Sequence, residues 1–415
     1  MDAEDACLFD RLPSAMRDSF LQQAFKLLDQ HHQCGVVPLV CRLWQQLVPS
    51  TCSSLQVKVM DRLACKGATS WLEKHNPPLE SLELKIERSI YMPDEARKLL
   101  QVVYSKVSLR NLKIDAVFYK EKKEEESALC SLALSSLTNL TSLEVQTYDL
   151  GKTTLASLLL LTQLRCLSFD DEEFYKVKAL LQRVSSSLLQ LTTLELRVKT
   201  SITEPQDLLP LTALHNLEDL QLPYLGVEAK GIAMLNQLPI TSIKVVVAGD
   251  GGVQDVCSWL QECGGKINTL HLVEGYYTPL PLPELELLMS HLRTWAPQLR
   301  SLSVDEMTLI RYSTGLASLT QLTRLAVYDL RFDDAALHRL SALTGLRELE
   351  MGLNEVTGAG GSFECLASGL QQLTRLDVLS LAPADDAAEE AFRPRVVDVL
   401  GGRLMLRPGV TAGDD

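Results

Sequence analysis

Aromatic residues are scarce: they make up 6% of a 415-residue chain in which 46% of residues are apolar. The core is therefore aliphatic and leucine-dominated, which suits thin stacked layers better than one large globule. An excess of positive charge is missing too. The formal net charge is −13, so the concentrated Lys and Arg of a duplex- or RNA-binding surface are absent and nucleic acid is excluded as a partner. No apolar run approaches the roughly 20 residues that span a bilayer. The acidic start, Met1 to Asp5, has no apolar stretch behind it, so neither a membrane anchor nor a secretory signal is expected. The 10 cysteines lack paired spacing, which points to reduced thiols and a cytoplasmic or nuclear setting.

What the chain has in quantity is one phrase, Leu-x-x-Leu-x-Leu. Its second and third apolar residues lie two apart and so point the same way from a short strand. The phrase starts at Leu79, Leu109, Leu140, Leu164, Leu191, Leu217, Ile240, Ile267, Leu299, Leu322, Leu346 and Leu373, at spacings of 23 to 32 residues. A further copy built on Cys52, Leu55 and Val57 starts the series. Ten positions after the opening residue stands another apolar side chain in most units, among them Tyr119, Leu150, Phe174, Val227, Tyr277, Leu309, Phe332 and Val356. The approach to the strand repeats as Leu-Thr-x-Leu-x-x-Leu, at 137–143, 161–167, 319–325 and 343–349. Ser70, Trp71 and Leu72 precede one phrase at the same distance at which Ser258, Trp259 and Leu260 precede another. A bundle of Leu-rich helices has no reason to hold this phase.

The chain resembles leucine-rich-repeat proteins over about residues 52–383. The resemblance implies an α/β horseshoe solenoid of about 12–13 repeats, with one parallel sheet on the concave face and helical segments such as 153–161 and 334–343 returning along the convex side. At roughly 4.8 Å per strand the sheet would span roughly 50 Å. The Asn or Cys that such repeats place nine residues along is represented by Asn354, whereas Val117, Tyr148, Leu225 and Leu330 occupy other copies. The turns must be satisfied in another way.

Residues 1–50 carry no repeat. Leu12, Pro13 and Ser14 read as a stop and N-cap, and Met16, Phe20, Ala24, Phe25 and Leu28 follow at helical spacing. Pro38 opens another helix with Leu39, Val40, Leu43, Trp44 and Leu47 on one side. Three short helices cannot bury such a stripe alone and need a partner. Leu12 and Pro13, the helix ending at Leu28 and Asp29, and the phrase Val40, Cys41, Arg42, Leu43, Trp44 resemble an F-box. This resemblance implies a substrate-recognition subunit of an SCF-type ubiquitin ligase. Leu12, Pro13, Phe20, Val40, Cys41, Leu43 and Trp44 would bind a Skp-family adaptor, and through it a cullin, while the repeats bind an unidentified target protein. The alternative is a repeat scaffold without a ligase link, its N-terminal helices serving as a cap. The resulting division is an F-box-like helical segment at 1–50, a solenoid at 51–383, and a C-terminal cap with an acidic tail at 384–415. Val396–Leu400 and Arg403–Leu406, joined by Gly401 and Gly402, would form that cap.

Other signals are weak. Gly151, Lys152, Thr153 and Thr154 end like a phosphate-binding loop, but Gln146 stands where the earlier glycine is required. His31, His32, Cys34 and Cys41 lack the tight paired spacing of a zinc site, and Lys120 to Glu126 reads as a solvated loop. No Ser/His/Asp or Cys/His arrangement stands out, so neither catalysis nor a cofactor is expected.

The working surface would be the strand positions between the buried leucines, because strand side chains alternate. Acids there are Glu83, Asp115, Glu144, Asp170, Glu195, Asp219, Asp305, Glu348, Glu350 and Asp377, and bases are Lys85, Lys113, Lys244, Arg197, Arg324 and Arg375. Apolar Val246, Val273, Tyr328 and Leu379 interrupt the later copies, either as an interface anchor or as ordinary strand formers. Lys244, Val246, His271, Val273, Arg324, Tyr328 and Glu350 are the expected target-binding residues.

Overall fold

A computed structural model describes residues 52–86, 93–116, 134–147, 157–171, 177–198, 205–222, 234–247, 252–274, 282–305, 315–332, 338–356 and 375–380. The F-box-like segment, the C-terminal cap, the Gly151 and Lys120 loops and the paired His31 and His32 lie outside the described residues.

Each repeat phrase opens a strand. The chain divides into two units, Met1–Phe174 and Tyr175–Asp415. In the first, β1 (Ser54–Val59), β2 (Ser81–Ile86), β3 (Asn111–Ala116), β4 (Ser142–Thr147) and β5 (Cys166–Asp171) pair in parallel in sequence order. The second holds β6 (Thr193–Val198), β7 (Asp219–Gln221), β8 (Ser242–Val247), β9 (Thr269–Glu274), β10 (Ser301–Asp305), β11 (Arg324–Phe332), β12 (Glu348–Val356) and β13 (Arg375–Ser380), again parallel and in order. The register aligns equivalent phrase positions. Leu55, Leu82, Leu112, Leu143 and Leu167 form one row in the first unit. The second unit's row runs from Leu194 through Leu220, Ile243, Leu270, Leu302, Leu325 and Leu349 to Leu376. The chain is the α/β leucine-rich-repeat solenoid that its phrases imply.

What joins one repeat to the next is a backbone ladder at the leading end of the strands. Ahead of most of the strands, the preceding residue offers a carbonyl that accepts two N–H groups from the next repeat, as its two lone pairs permit. Glu80 O accepts from Arg110 N at 2.8 Å and Asn111 N at 2.9 Å, and Arg110 O accepts in turn from Thr141 N and Ser142 N. In the second unit the same relay runs from Thr192 through Glu218, Thr241, Asn268 and Arg300 to Thr323. Thr141 and Thr323 add side-chain hydroxyl bonds to Arg110 O and Arg300 O. Asn139 and Asn216 likewise donate to Val107 O and Leu189 O of the preceding repeat. Satisfaction of the leading turns therefore falls chiefly on main-chain groups, whose chemistry every residue except proline supplies.

The recurring Leu-x-x-Leu-x-x-Leu approach forms 3-10 turns. Leu137 N donates to Leu134 O and Leu140 N to Leu137 O, and Leu211, Leu214 and Leu217 repeat the relay. A period of 3.0 eclipses residues i and i+3, which puts Leu134, Leu137 and Leu140 on one buried face. Residues 157–158 and 338–340, inside segments expected to be helical, are α-helix, and five further return helices are described. They are α1 (Arg62–His75), α2 (Pro93–Tyr104), α3 (Val177–Ser187), α4 (Gly252–Cys263) and α5 (Leu282–Trp295). All follow strands whose successor starts at least 27 residues later, as with Thr269 and Ser301 around α5. Between Ser301 and Arg324, where the next strand starts sooner, the described part of the return holds the 3-10 turn Leu316–Ser318. At about 2.0 Å per residue against 1.5 Å for an α-helix, such a turn covers a given length with fewer residues.

Two side chains fix how the helices sit. Asp61 caps α1 by accepting from Ala64 N at 2.7 Å. At the other end, buried Lys106 donates to Leu72 O at 3.0 Å and to Asn76 Oδ1 at 2.7 Å. It thereby ties α1 to the turn before β3, and burial draws its ammonium below the usual lysine range. In the second unit α4 is followed directly by Gly264, where a Cβ would lie 2.5 Å from Trp295 O on α5. Only glycine permits that approach.

Leu220 and Leu325 have 0% exposure. Replacing either with Ala is expected to lower the unfolding free energy by about 2–5 kcal/mol in chemical denaturation.

Candidate functional site

Because the phrase leucines point inward, the intervening residues form three columns on the open face of each sheet. In the second unit the first column runs Thr193, Asp219, Ser242, Thr269, Ser301, Arg324, Glu348, Arg375. The second runs Glu195, Gln221, Lys244, His271, Ser303, Ala326, Glu350, Asp377. In the third, Val246 neighbours Val273, and Val273 neighbours Asp305.

This register sorts the residues expected to bind a target. Lys244 and His271 are direct cross-strand neighbours, with Ser303 on the far side of His271. Val246 and Val273 are adjacent, but Asp305 stands next to Val273 and separates that pair from Tyr328. Tyr328 falls at the register shift between Val327 and Leu330, and Leu379 pairs with Gly352. The apolar residues therefore do not form one unbroken column. Arg324 lies in the first column, and its guanidinium approaches Glu348 and Glu350 at 3.6 Å each.

Most cations on these faces are neutralised from within. In the first unit Lys85 pairs with Asp115 at 3.6 Å and Lys113 with Glu144 at 2.9 Å. The Glu144 bond holds the Lys113 ammonium above its ordinary range. In the second unit Arg197 Nε donates to Glu195 at 2.7 Å on the same strand. Exposed pairs of this kind contribute about 0–1 kcal/mol each, so their main effect is on the surface potential. Lys244 is different: among the described residues it has no carboxylate within ion-pair distance and no hydrogen bond.

Its neighbour His271 is half-buried, and its Nε2 atom is enclosed without a hydrogen-bond partner. Burial, then the charges of Lys244 and Arg197, pull the imidazole down to about 4, with Glu195 opposing. Beside them Asp219, shielded from water, has its carboxyl raised despite hydrogen bonds with Ser242 and Gln221. The hydroxyls of Ser301 and Ser303 are unengaged. Sequence reading passed over these hydroxyls because short polar residues in a strand column resemble filler; the register that brings them beside His271 was the signal. The buried thiols of Cys257 and Cys263 are pushed up to about 11 and about 12 by burial, so they remain protonated and weakly nucleophilic at neutral pH. No group of three or more His, Cys, Asp or Glu among the described residues is arranged to hold a metal ion, and no helix among them is long and apolar enough to cross a membrane. The open face offers charge, hydroxyls and an uncharged imidazole, the chemistry of recognition.

His271 generates a pH prediction. Its folded value of about 4 lies below the ordinary 6.5, so as pH falls the unfolded chain takes up the proton first. Stability from the neutral imidazole is full above about pH 6.5 and is lost as pH falls toward about pH 4. Denaturation of the protein and of His271→Gln, compared across this window, should show the unsubstituted protein losing up to about 3 kcal/mol more. Parallel pH curves would remove His271 as the cause.

No family model and no curated protein matches the chain. Among solved structures it is similar to an internalin of Listeria monocytogenes at 18% identity and a TM-score of 0.34, covering 91% of this chain and 93% of that one. It is similar to a leucine-rich-repeat protein of Leptospira interrogans at 16% identity and a TM-score of 0.33, covering 88% and 91%. A chain of the yeast Rad7 and Elc1 complex is similar at 12% identity and a TM-score of 0.45, covering 88% and 89%.

Proposed function

We propose that this protein is the substrate-recognition subunit of an SCF-type ubiquitin ligase. In this reading residues 1–50 are the F-box-like segment that binds a Skp-family adaptor and through it a cullin. Residues 51–383 are the solenoid that binds the target, and residues 384–415 close it. The carrying observation is the phrase of Leu12 and Pro13 followed by Val40, Cys41, Arg42, Leu43 and Trp44, placed directly ahead of the first repeat strand at Ser54. The open face of the second unit supports the other half of the reading, with Lys244, Val246, His271, Val273, Arg324, Tyr328 and Glu350 contacting the target. Ubiquitin transfer belongs to other subunits, and the protein works in the cytoplasm or nucleus.

A second reading draws on the first repeat. Met60 is 48% exposed and Leu63 is 79% exposed at the leading edge of the first unit, apolar surface that an N-terminal cap would suit. The protein would then be a repeat scaffold that binds proteins without a ligase link.

One double substitution separates the two. Leu12→Ala with Pro13→Ala should abolish co-purification with a Skp-family adaptor and leave the melting temperature unchanged. If instead the unsubstituted protein captures no adaptor and the double variant melts earlier, the segment is a cap and the ligase reading falls.

A further inference from the structure

We infer that Lys244, with His271 and Ser303 beside it, is the anchor for a single carboxylate on an acidic segment of the target protein. This rests on the reading of the second unit's open face as the recognition surface, and adds the chemistry of what it recognises.

Charge accounting points to the spot. Arg197 is held by Glu195, and Arg324 stands between Glu348 and Glu350. Lys244, unlike Arg197 and Arg324, lacks such a partner among the described residues. Its strand neighbours are Gln221 and His271, and the imidazole is uncharged at neutral pH, so no neighbour on either side along the column supplies a counter-charge. A lysine ammonium offers three donors, and an incoming carboxylate would accept from it in a charge-assisted bond. The surroundings are cut low for such an approach. Ser303 follows His271 across the sheet, and Ser301 lies in the adjoining column; both hydroxyls are unengaged and short. A chain passing over them can meet the strand floor closely and use those hydroxyls as donors or acceptors.

The same arrangement sets the ligand's charge. A phosphate ester carries about −1.5 to −2 at neutral pH and calls for more than one free cation. Here a second charge would face Glu195, which already has its own arginine, and Asp219 in the neighbouring column. One unpaired cation amid acids matches one carboxylate, supplied by Asp, Glu or a chain terminus.

The test uses the full chain immobilised and pools of short, otherwise uncharged random peptides with Glu, Gln, phosphoserine or Lys at one fixed position. The Glu pool should be retained about tenfold more than the Gln pool, the ratio expected for one charge-assisted bond. That preference should shrink at high salt, vanish in Lys244→Met and persist in Lys244→Arg, with melting temperatures unchanged. Equal retention of Glu and Gln, preference for phosphoserine, retention of no pool, or an unaltered preference in Lys244→Met would each overturn the inference. Ser303→Tyr separates this failure from that of the underlying reading. If it blocks every pool while Glu and Gln bind alike, the open face still recognises peptides and only the carboxylate is wrong. If it blocks none, recognition lies elsewhere on the protein.

Discussion

One main-chain carbonyl per repeat, shared by two N–H groups of the next, is the interaction on which the architecture depends. It occurs just before the strand, at Glu80, Arg110, Thr192, Asn268 and Arg300 among others, and these residues have nothing in common as side chains. The ladder therefore places almost no demand on sequence beyond excluding proline from the donor positions. Its consequence is a fixed strand register, row upon row, although the spacing between strands varies from 23 to 32 residues. Variation is absorbed on the return side, where the described residues form both α-helices and 3-10 turns. Burial then does the rest, because each layer's leucines are covered only by adjacent layers.

The strands were legible because their signal is local and repeated. Two apolar residues at i and i+2, preceded by a third at i−3, recur in phase whatever lies between, and every described strand begins beside that pair. The return segments were less legible. Leucines spaced by three fit both an amphipathic helix and a 3-10 turn, and both occur among the described return residues, so the spacing does not separate them. Lys106 and Gly264 gave no signal at all. The first matters because α1 ends 30 residues earlier at Asn76, the second because the backbone of Trp295 comes close.

The open face was half legible. Its columns follow from strand alternation, so Lys244 and His271 could be named from the sequence. Which cation is already neutralised could not, because that depends on side chains one repeat away and on geometry within a few ångströms. Lys113 and Lys244 look alike in sequence, yet one holds Glu144 at 2.9 Å and the other has no carboxylate within ion-pair distance among the described residues. The row of apolar residues also depended on register, and Asp305 beside Val273 interrupts it. A face whose cations are mostly paired internally presents little net field, so selectivity concentrates where pairing fails. A scaffold held by main-chain bonds leaves those columns free to vary without cost to the fold, which suits a binding surface.

The central claim is that main-chain bonds at the leading ends of the strands hold successive repeats together. Hydrogen exchange at single-residue resolution tests it most directly, through the amides of Arg110, Asn111, Thr141 and Ser142 in the first unit and of Thr241, Ser242, Arg300 and Ser301 in the second. The account predicts that both amides of each pair exchange as slowly as the strand amides of Leu112 and Leu302. Exchange of those leading amides at the rate of unprotected chain, with Leu112 and Leu302 still protected, would contradict it.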